Sequence, residues 1–263
     1  MHALPEIRPH PQRPALDPRP MRKRVGLIIL ATDHTTEVDF QRLVAGPDIG
    51  VYVSRIAYAN PTTPENLRGM QPALTAGAGL ILPGEALDAV VYSCSSASVV
   101  IGDAEIEAAI EAAKPGAPVV TPTMAAVRGL RALGAHRISI LTPYTVETSR
   151  PMAAYFAGHG FDIANFLCLG FEDDREMARI APGTLVEMAR DATAPDADAL
   201  FISCTALRSA IVAQAIEAAI GRSVVTSNQA TAWNCLRLCG DDKPRSELGQ
   251  LMTLPLATKR AAS

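Results

Sequence analysis

The chain has 263 residues, of which 48% are hydrophobic and 19% charged, and its net charge is −3. A globular chain of this length can form one large domain or two lobes with a sizeable core. The lack of a basic excess argues against nucleic acid or an anionic membrane as a partner, and no apolar run reaches the roughly 18 residues that span a bilayer.

The N-terminal segment is rich in Pro and Arg and lacks the apolar stretch of a signal peptide. We therefore expect a mobile tail over residues 1–23. The five cysteines are an odd number without a secretory signal, which favours free thiols and a cytoplasmic protein. Cys235 and Cys239 are spaced as one face of a helix, not as a zinc motif, so no metal site is expected.

Apolar, β-branched runs alternate along the chain with Ala-rich amphipathic runs, which predicts a parallel sheet covered by helices on both faces. The predicted strands are 25–31, 50–57, 88–93, 118–121, 137–142, 162–168, 198–203 and 223–226. The predicted helices are 64–79, 103–113, 123–133, 145–158, 183–191, 207–220 and 229–239.

Three phrases occur twice in the same order, which predicts an internal duplication. The pairs are "RVGLIILATDHT" (24–35) with "RISILTPYTVET" (137–148), "DAVVYSCSSAS" (88–98) with "DALFISCTALR" (198–208), and "APVVTPTMAAVRGLRALG" (117–134) with "RSVVTSNQATAWNCLRLCG" (222–240). The predicted fold is α/β, with two pseudo-twofold-related flavodoxin-like lobes, each a four-stranded parallel sheet flanked by helices. The lobes would cover 24–136 and 137–240, followed by a C-terminal tail over 241–263.

The duplicated phrase places Cys94 and Cys204 directly after equivalent buried strands. Ligands of parallel sheets bind beyond the carboxyl ends of the strands, so the two thiols would lie on opposite walls of one cleft. The small residues after each cysteine predict a helix start, whose free N–H groups and dipole lower a thiol pKa and bind carboxylates. A lone cysteine after a strand is more often a small buried hydrophobe, but the paired placement favours function.

Seven motifs together resemble the Asp/Glu racemase superfamily, in particular its branch of maleate cis–trans isomerases and arylmalonate decarboxylases. Within that branch the chain is most similar to the ectoine-utilisation protein A group. The resemblance covers about residues 24–240. The motifs are "GLIILATDHTTEVDF", "YSCSSAS", "TPTMAAVRGLRALG", "ISILTPYT", "LGFEDDREMARI", "ISCTALRS" and "SNQATAWNCLRL".

The resemblance implies an enzyme without a cofactor that acts on a small carboxylic acid. Racemases of the superfamily use one cysteine to remove a proton and the other to return one. Isomerases of the branch use the first cysteine as a nucleophile on a double bond, and decarboxylases keep only the second. The presence of both Cys94 and Cys204 thus implies an isomerase or racemase, with a place in ectoine or hydroxyectoine catabolism.

Other functions stay open at this point. They are a decarboxylase of the arylmalonate type, a maleate cis–trans isomerase proper, and a ligand-binding protein that has lost the chemistry. We expect a homo-oligomer and no nucleic-acid or membrane partner.

The resemblance also implies a set of substrate-binding residues. These are Thr32, His34, Thr35, Ser95, Ser96, Tyr144, Asp174, Thr205 and Ala206. The maleate isomerase pattern has Asn where this chain has His34 and Asp174. An ionised Asp174 would repel a second carboxylate by ~1 kcal/mol in water and by several in a drier cleft, which favours a monocarboxylate with a neutral or cationic far end. The alternative is that Asp174 faces solvent and caps the following helix.

Overall fold

The computed structural model describes residues 5–256, which form two four-stranded parallel sheets flanked by helices. In chain order the strands are β1 (Lys23–Leu30), β2 (Ile49–Ile56), β3 (Ala89–Tyr92), β4 (Val119–Val120), β5 (Arg137–Tyr144), β6 (Asp162–Phe171), β7 (Ala199–Ile202) and β8 (Ser223–Thr226). The strand orders are β2-β1-β3-β4 and β6-β5-β7-β8. We call β1–β4 with their helices the first lobe and β5–β8 with theirs the second lobe.

Helices connect these strands and cover both sheets. They are α1 (Thr36–Leu43), α2 (Pro64–Arg68), α3 (Leu74–Gly79), α4 (Ser95–Ile101), α5 (Asp103–Glu111), α6 (Pro122–Ala132), α7 (Val146–Gly158), α8 (Asp174–Met177), α9 (Pro182–Ala192), α10 (Ala213–Ile220) and α11 (Ser227–Leu238). None of the helices that the structure describes is long and apolar enough to cross a membrane.

The two sheets repeat one topology, so the predicted fold class is confirmed. In each lobe the first strand lies second in the sheet and pairs with the third, and all pairings are parallel. This is the order of flavodoxin-like sheets without a fifth strand. β1 reads KRVGLIIL and is buried along seven of its eight residues, as expected for a strand covered on both faces.

The lobes share one hydrophobic core. Residues of β1 and β5 lie in the same cluster as residues of α6 and α11, and the rings of Phe156 and Phe201 are 4.9 Å apart within it. Each lobe has a second cluster on the other face of its sheet. α6 and α11 therefore fix how the two sheets lie against each other.

The segment after α11 packs on this shared core, although the sequence predicts a tail from 241 onward. Leu251 and Met252 are fully buried. The indole N–H of Trp233 donates to the carbonyl of Leu254 at 2.8 Å, and the guanidinium of Arg237 donates to the Leu254 and Met252 carbonyls. At the other terminus, residues 5–20 are exposed and form no helix or strand. The outer parts of the two predicted tails, 1–4 and 257–263, lie outside the described residues.

Two predicted helices differ from the structure. The predicted helix over 64–79 is α2, a 3-10 turn (Gln71–Ala73) and α3. Pro72 causes the break, because it has no N–H to donate to the carbonyl one turn earlier. The predicted helix over 207–220 begins only at Ala213, after a 3-10 turn (Ala210–Val212).

Candidate active site

Cys94 lies where β3 ends and α4 begins. Its backbone is extended (φ −152°, ψ 110°), and it is the N-cap residue of α4. The side chain is buried, with Sγ 3.7 Å from the hydroxyl of Ser96. The predicted helix start after Cys94 is therefore present.

Cys204 lies at the equivalent point after β7, but its turn differs. Its φ is +104°, a conformation that is rare and strained for a residue with a side chain. Residues 205–209 form turns instead of a helix, so the predicted helix start at Thr205 is wrong. The chain after Cys204 therefore lacks the helix that follows Cys94. The thiol is buried and its Sγ lies 4.0 Å from the sulfur of Met177.

Both cysteines line one small cavity of about 20 Å³. The volume corresponds to about one water molecule. Its walls come from both lobes, and its lining residues are Leu30, Asp33, Tyr58, Thr62, Leu67, Cys94, Ser96, Tyr144, Asp174, Met177, Cys204, Thr205 and Ala206. The structure thus brings together the two thiols that the duplicated phrase singled out.

The other predicted site residues, apart from His34, form two groups around this cavity. Ser96, Tyr144, Asp174, Thr205 and Ala206 line it. A second group lies behind the lining: Thr32 donates to Asp174, Thr35 donates to the Ala206 carbonyl at 2.7 Å, and the hydroxyls of Ser95 and Ser227 are 2.7 Å apart.

His34 is exposed and lies outside the cavity lining, so its predicted binding role is not supported. Its neighbour Asp33 lines the cavity instead. Asp33 accepts hydrogen bonds from the N–H groups of Thr35 and Thr36 and from the Thr36 hydroxyl. These bonds turn Asp33 inward and leave His34 on the outside of the same turn. Burial raises the pKa of Asp33, against the lowering effect of these bonds.

Asp174 is buried at the cavity wall. It accepts from the hydroxyl of Thr32 and from the side-chain amide of Asn60, the latter at 2.8 Å. The helix cap that the sequence allows for Asp174 is made by its neighbour: the Asp173 carboxylate accepts from the N–H of Arg175 at 2.9 Å. The alternative of a solvent-facing Asp174 is therefore wrong.

Hydrogen bonds between the lobes narrow the mouth of the cavity. The loop after β2 donates from the N–H of Thr62 to the Glu172 carbonyl at 2.7 Å. The Thr62 carbonyl accepts from the Thr148 hydroxyl at 2.7 Å, and Asn60 bonds to both Asp173 and Asp174. We call this set, with the Thr32–Asp174 bond, the mouth bonds.

Sequence reasoning missed six lining residues: Leu30, Asp33, Tyr58, Thr62, Leu67 and Met177. Tyr58 and Thr62 follow β2 at the same sheet edge as Cys94, and their hydroxyl oxygens are 2.7 Å apart. The rule that ligands bind at the carboxyl ends of strands would have found this loop, whereas Leu67 and Met177 depend on how the loops fold over the cavity.

Burial dominates the electrostatics of the two thiols. It raises the pKa of Cys94 to about 11, although the Ala97 N–H and Ser96 hydroxyl act in the opposite direction. It raises the pKa of Cys204 to about 12, against the lowering effect of Tyr144 and the Ala206 N–H. The expectation of a lowered thiol pKa is therefore wrong for these buried thiols, because desolvation outweighs the nearby N–H groups.

The cavity lining is neutral to acidic. Among the residues that line it there is no Lys, Arg or His, and no group of acidic, Cys and His side chains in the described chain could hold a metal ion. Burial also raises the pKa of Tyr144 well above its usual range, so its hydroxyl remains a donor. Two thiols and several hydroxyls around one small space can exchange protons with a bound molecule.

Relatives share this architecture. A variant of Nocardia farcinica maleate cis–trans isomerase with a covalently bound succinylcysteine intermediate superposes with a TM-score of 0.80, at 24% identity over 88% of this chain and 98% of that one. A liganded arylmalonate decarboxylase variant gives 0.77, at 28% identity over 87% and 98%.

Sequence comparisons lead to the same group. Nocardia farcinica maleate isomerase is 27% identical over 82% of this chain and 89% of its own length. Bordetella bronchiseptica arylmalonate decarboxylase is 33% identical over 52% of this chain, a match that spans 58% of that protein. The model of the arylmalonate decarboxylase family matches residues 84–252, and the chain belongs to this family.

Proposed function

We propose that the protein is a cofactor-independent isomerase or racemase of a small carboxylic acid, acting through Cys94 and Cys204. The observation that supports this most directly is that these cysteines, after equivalent strands of two lobes, line one small cavity. A single buried thiol would be an ordinary core residue, whereas two thiols around one space can act on both faces of one atom.

In the racemase form of the proposal, one cysteine acts as a thiolate and the other as a thiol. The thiolate takes the proton next to the substrate carboxylate, so the C–H bond breaks and an S–H bond forms. The opposite thiol then gives its proton to the other face of the carbon. The site ends with the two protonation states exchanged and no net change in protons. The raised pKa values make each thiolate, once formed, a strong base.

In the isomerase form, the Cys94 thiolate adds to a double bond and the pair of π electrons moves toward the carboxylate. Rotation about the new single bond and expulsion of the thiolate give the other geometric isomer. The covalently bound succinylcysteine in the Nocardia farcinica relative supports the isomerase form of the proposal for this chain.

A decarboxylase is the second candidate, supported by the family match and by the Bordetella bronchiseptica relative. A substrate carboxylate would leave as CO2, and Cys204 would protonate the resulting carbanion. Because the branch's decarboxylases lack a cysteine at the first position, the presence of Cys94 makes this the weaker candidate.

The proposed substrate is a monocarboxylate whose far end is neutral or cationic. Asp174 supplies a carboxylate to the cavity wall, and none of the described residues that line the cavity has a cationic side chain to balance a second carboxylate on the substrate. An acid derived from ectoine or hydroxyectoine would match this description, and the proposed place in their catabolism rests on the sequence resemblance.

The test compares the cysteine variants on a panel of small carboxylic acids that includes maleate, an arylmalonate and ectoine-derived acids. Deuterium uptake from D2O reports racemisation, NMR reports cis–trans isomerisation, and CO2 release reports decarboxylation. Cys94→Ser and Cys204→Ser should each lower kcat by about 10²- to 10⁴-fold. Cys168→Ser is the matched control, because Cys168 lies on β6 outside the cavity lining. Near wild-type kcat in either variant would rule out the two-cysteine mechanism.

A further inference from the structure

We propose that Ser227 is a positioning residue that holds the two cysteine turns together from the start of α11. The proposal rests on the proposed function, since it concerns the same two thiols. It assigns to Ser227 no contact with the reacting atoms.

The Ser227 hydroxyl lies between the two turns. Its Oγ accepts from the N–H of Cys204 at 3.1 Å and is 2.7 Å from the hydroxyl of Ser95, the residue after Cys94. Ser227, Ser95 and Cys204 are all buried, so water cannot replace either bond. One side chain of the second lobe therefore joins the backbone of one cysteine turn to a side chain of the other.

Asn228, the residue after Ser227, also holds the turn after Cys204. The side-chain amide of Asn228 donates to the Thr205 carbonyl at 2.9 Å and to the Asp39 carboxylate at 2.8 Å. Both acceptors lack a hydrogen to give, so the amide must present its NH2 group to them. The turn after Cys204 is thus held by two consecutive residues of α11.

Cys204 needs this support more than Cys94 does. Cys94 has an extended backbone, its carbonyl accepts from the N–H and the hydroxyl of Ser98, and its turn continues directly into α4. Cys204 has φ +104° and is followed by turns without a helix. A strained conformation persists only where its surroundings over-determine it, and the bond from its N–H to Ser227 is part of those surroundings.

The duplicated sequence shows that the Ser227 hydroxyl has no counterpart in the first lobe. α6 and α11 begin alike, with Thr121 and Thr226 as N-caps. The next residue is Pro122 in α6 and Ser227 in α11, so the first lobe has no hydroxyl at this place. Thr123 follows Pro122, and its buried hydroxyl has no hydrogen-bond partner among the described residues. The two thiols are consequently supported unequally.

The test is Ser227→Ala, which removes one oxygen and adds no bulk. We expect kcat to fall by roughly 10- to 100-fold with KM within about threefold, because misplaced reacting groups lower the rate of the chemical step. Loosening of the turn should also raise the rate of Cys204 alkylation relative to Cys94 by at least about fivefold, because more frequent local opening exposes this thiol. Iodoacetamide labelling with peptide mass spectrometry gives this ratio without any substrate.

The matched control is Thr123→Val, which removes the buried hydroxyl at the next position of the equivalent helix at nearly constant shape. It should leave both kcat and the alkylation ratio unchanged within about twofold, as expected if only the α11 side supports the turns. An unchanged ratio in folded Ser227→Ala overturns the proposal whatever kcat does, and an unchanged kcat overturns it as well.

Ser95→Ala provides the test if Ser227→Ala does not fold. It removes the other half of the hydroxyl pair in the first turn of α4, where Ala is well tolerated. The same changes are expected at about 3- to 10-fold in kcat, and their absence overturns the proposal. Failure of the proposed function is distinct, since it would appear as full activity in the Cys94→Ser or Cys204→Ser variant.

Discussion

Cys94 and Cys204 are neutral thiols at neutral pH, because burial raises the pKa of the first to about 11 and of the second to about 12. The thiolate is the reactive form, and its fraction rises tenfold per pH unit below the pKa. Alkylation of each should therefore accelerate by about tenfold per unit from pH 7 to 10 and level off only above pH 10. N-acetylcysteine, with an ordinary thiol pKa near 8.5, is the reference and should level off earlier. A plateau below pH 9 for either cysteine would contradict the assigned burial effect.

Asp174 should decide between monocarboxylate and dicarboxylate ligands. Its carboxylate lies at the cavity wall, where it repels the second carboxylate of a dicarboxylate ligand by ~1–3 kcal/mol. Asp174→Asn removes the charge of the side chain at nearly constant shape. Maleate should then bind about 5- to 150-fold more tightly relative to acrylate, measured by calorimetric titration. The ratio of the two ligands cancels any loss of the bonds from Thr32 and Asn60.

Asp173→Asn is the matched control, since this neighbouring carboxylate caps α8 and lies outside the cavity lining. It should leave the maleate-to-acrylate ratio unchanged. Tight maleate binding by the wild type that Asp174→Asn does not alter would favour an ordinary maleate isomerase over the proposed substrate.

At the scale of elements, α3 offers a pair of glycines in contrasting environments. A Cβ on Gly77 would lie 2.7 Å from a methyl group of Ile56 on β2, whereas one on Gly79 would meet nothing within 4 Å. Gly77→Ala should lower the free energy of unfolding by about 1–3 kcal/mol through overpacking. Gly79→Ala should leave it unchanged or raise it by up to ~1 kcal/mol through helix propensity. Urea unfolding measures both, and equal effects would show that α3 does not pack on β2 in this way.

The strands were predictable because their signal is local. Runs such as VGLIIL and ALFI are continuously apolar, and all eight predicted strands overlap observed ones. α1 was missed, because TEVDFQRL is short and polar and its buried apolar residues, Phe40 and Leu43, form only one turn of pattern. The break at Pro72 has a local cause and could have been predicted from the residue itself.

The irregular turn after Cys204 could not be predicted in the same way. Thr205 and Ala206 resemble the small residues at the start of α4, and the turn depends on bonds to distant residues, among them Ser227 and Asn228. Those partners are 23 residues away along the chain. The pairing of Ser95 with Ser227 spans 132 residues, so it exists only once the lobes are packed together.

At the scale of the whole molecule, duplication explains why half of the site was predictable. The repeated phrase identified both thiols, because equivalent strands end at equivalent edges. Residues without a counterpart in the other lobe were harder to predict. The motif predicts that His34 binds substrate, whereas in the structure its neighbour Asp33 lines the cavity. The bonds that Asp33 accepts from the N–H groups of Thr35 and Thr36 decide this choice within one turn, and a match to a motif does not reveal them.

The mouth bonds have a kinetic consequence. A cavity of about 20 Å³ cannot admit a carboxylic acid until bonds such as those from Asn60 and Thr148 break, so opening precedes binding. The observed rate of association should then level off at high ligand concentration, at the rate of opening.

Stopped-flow fluorescence of the single tryptophan, Trp233 on α11, would measure this association rate. Thr148→Val should raise the plateau by removing one bond, and a rate that stays proportional to concentration would mean that the cavity opens faster than ligands arrive.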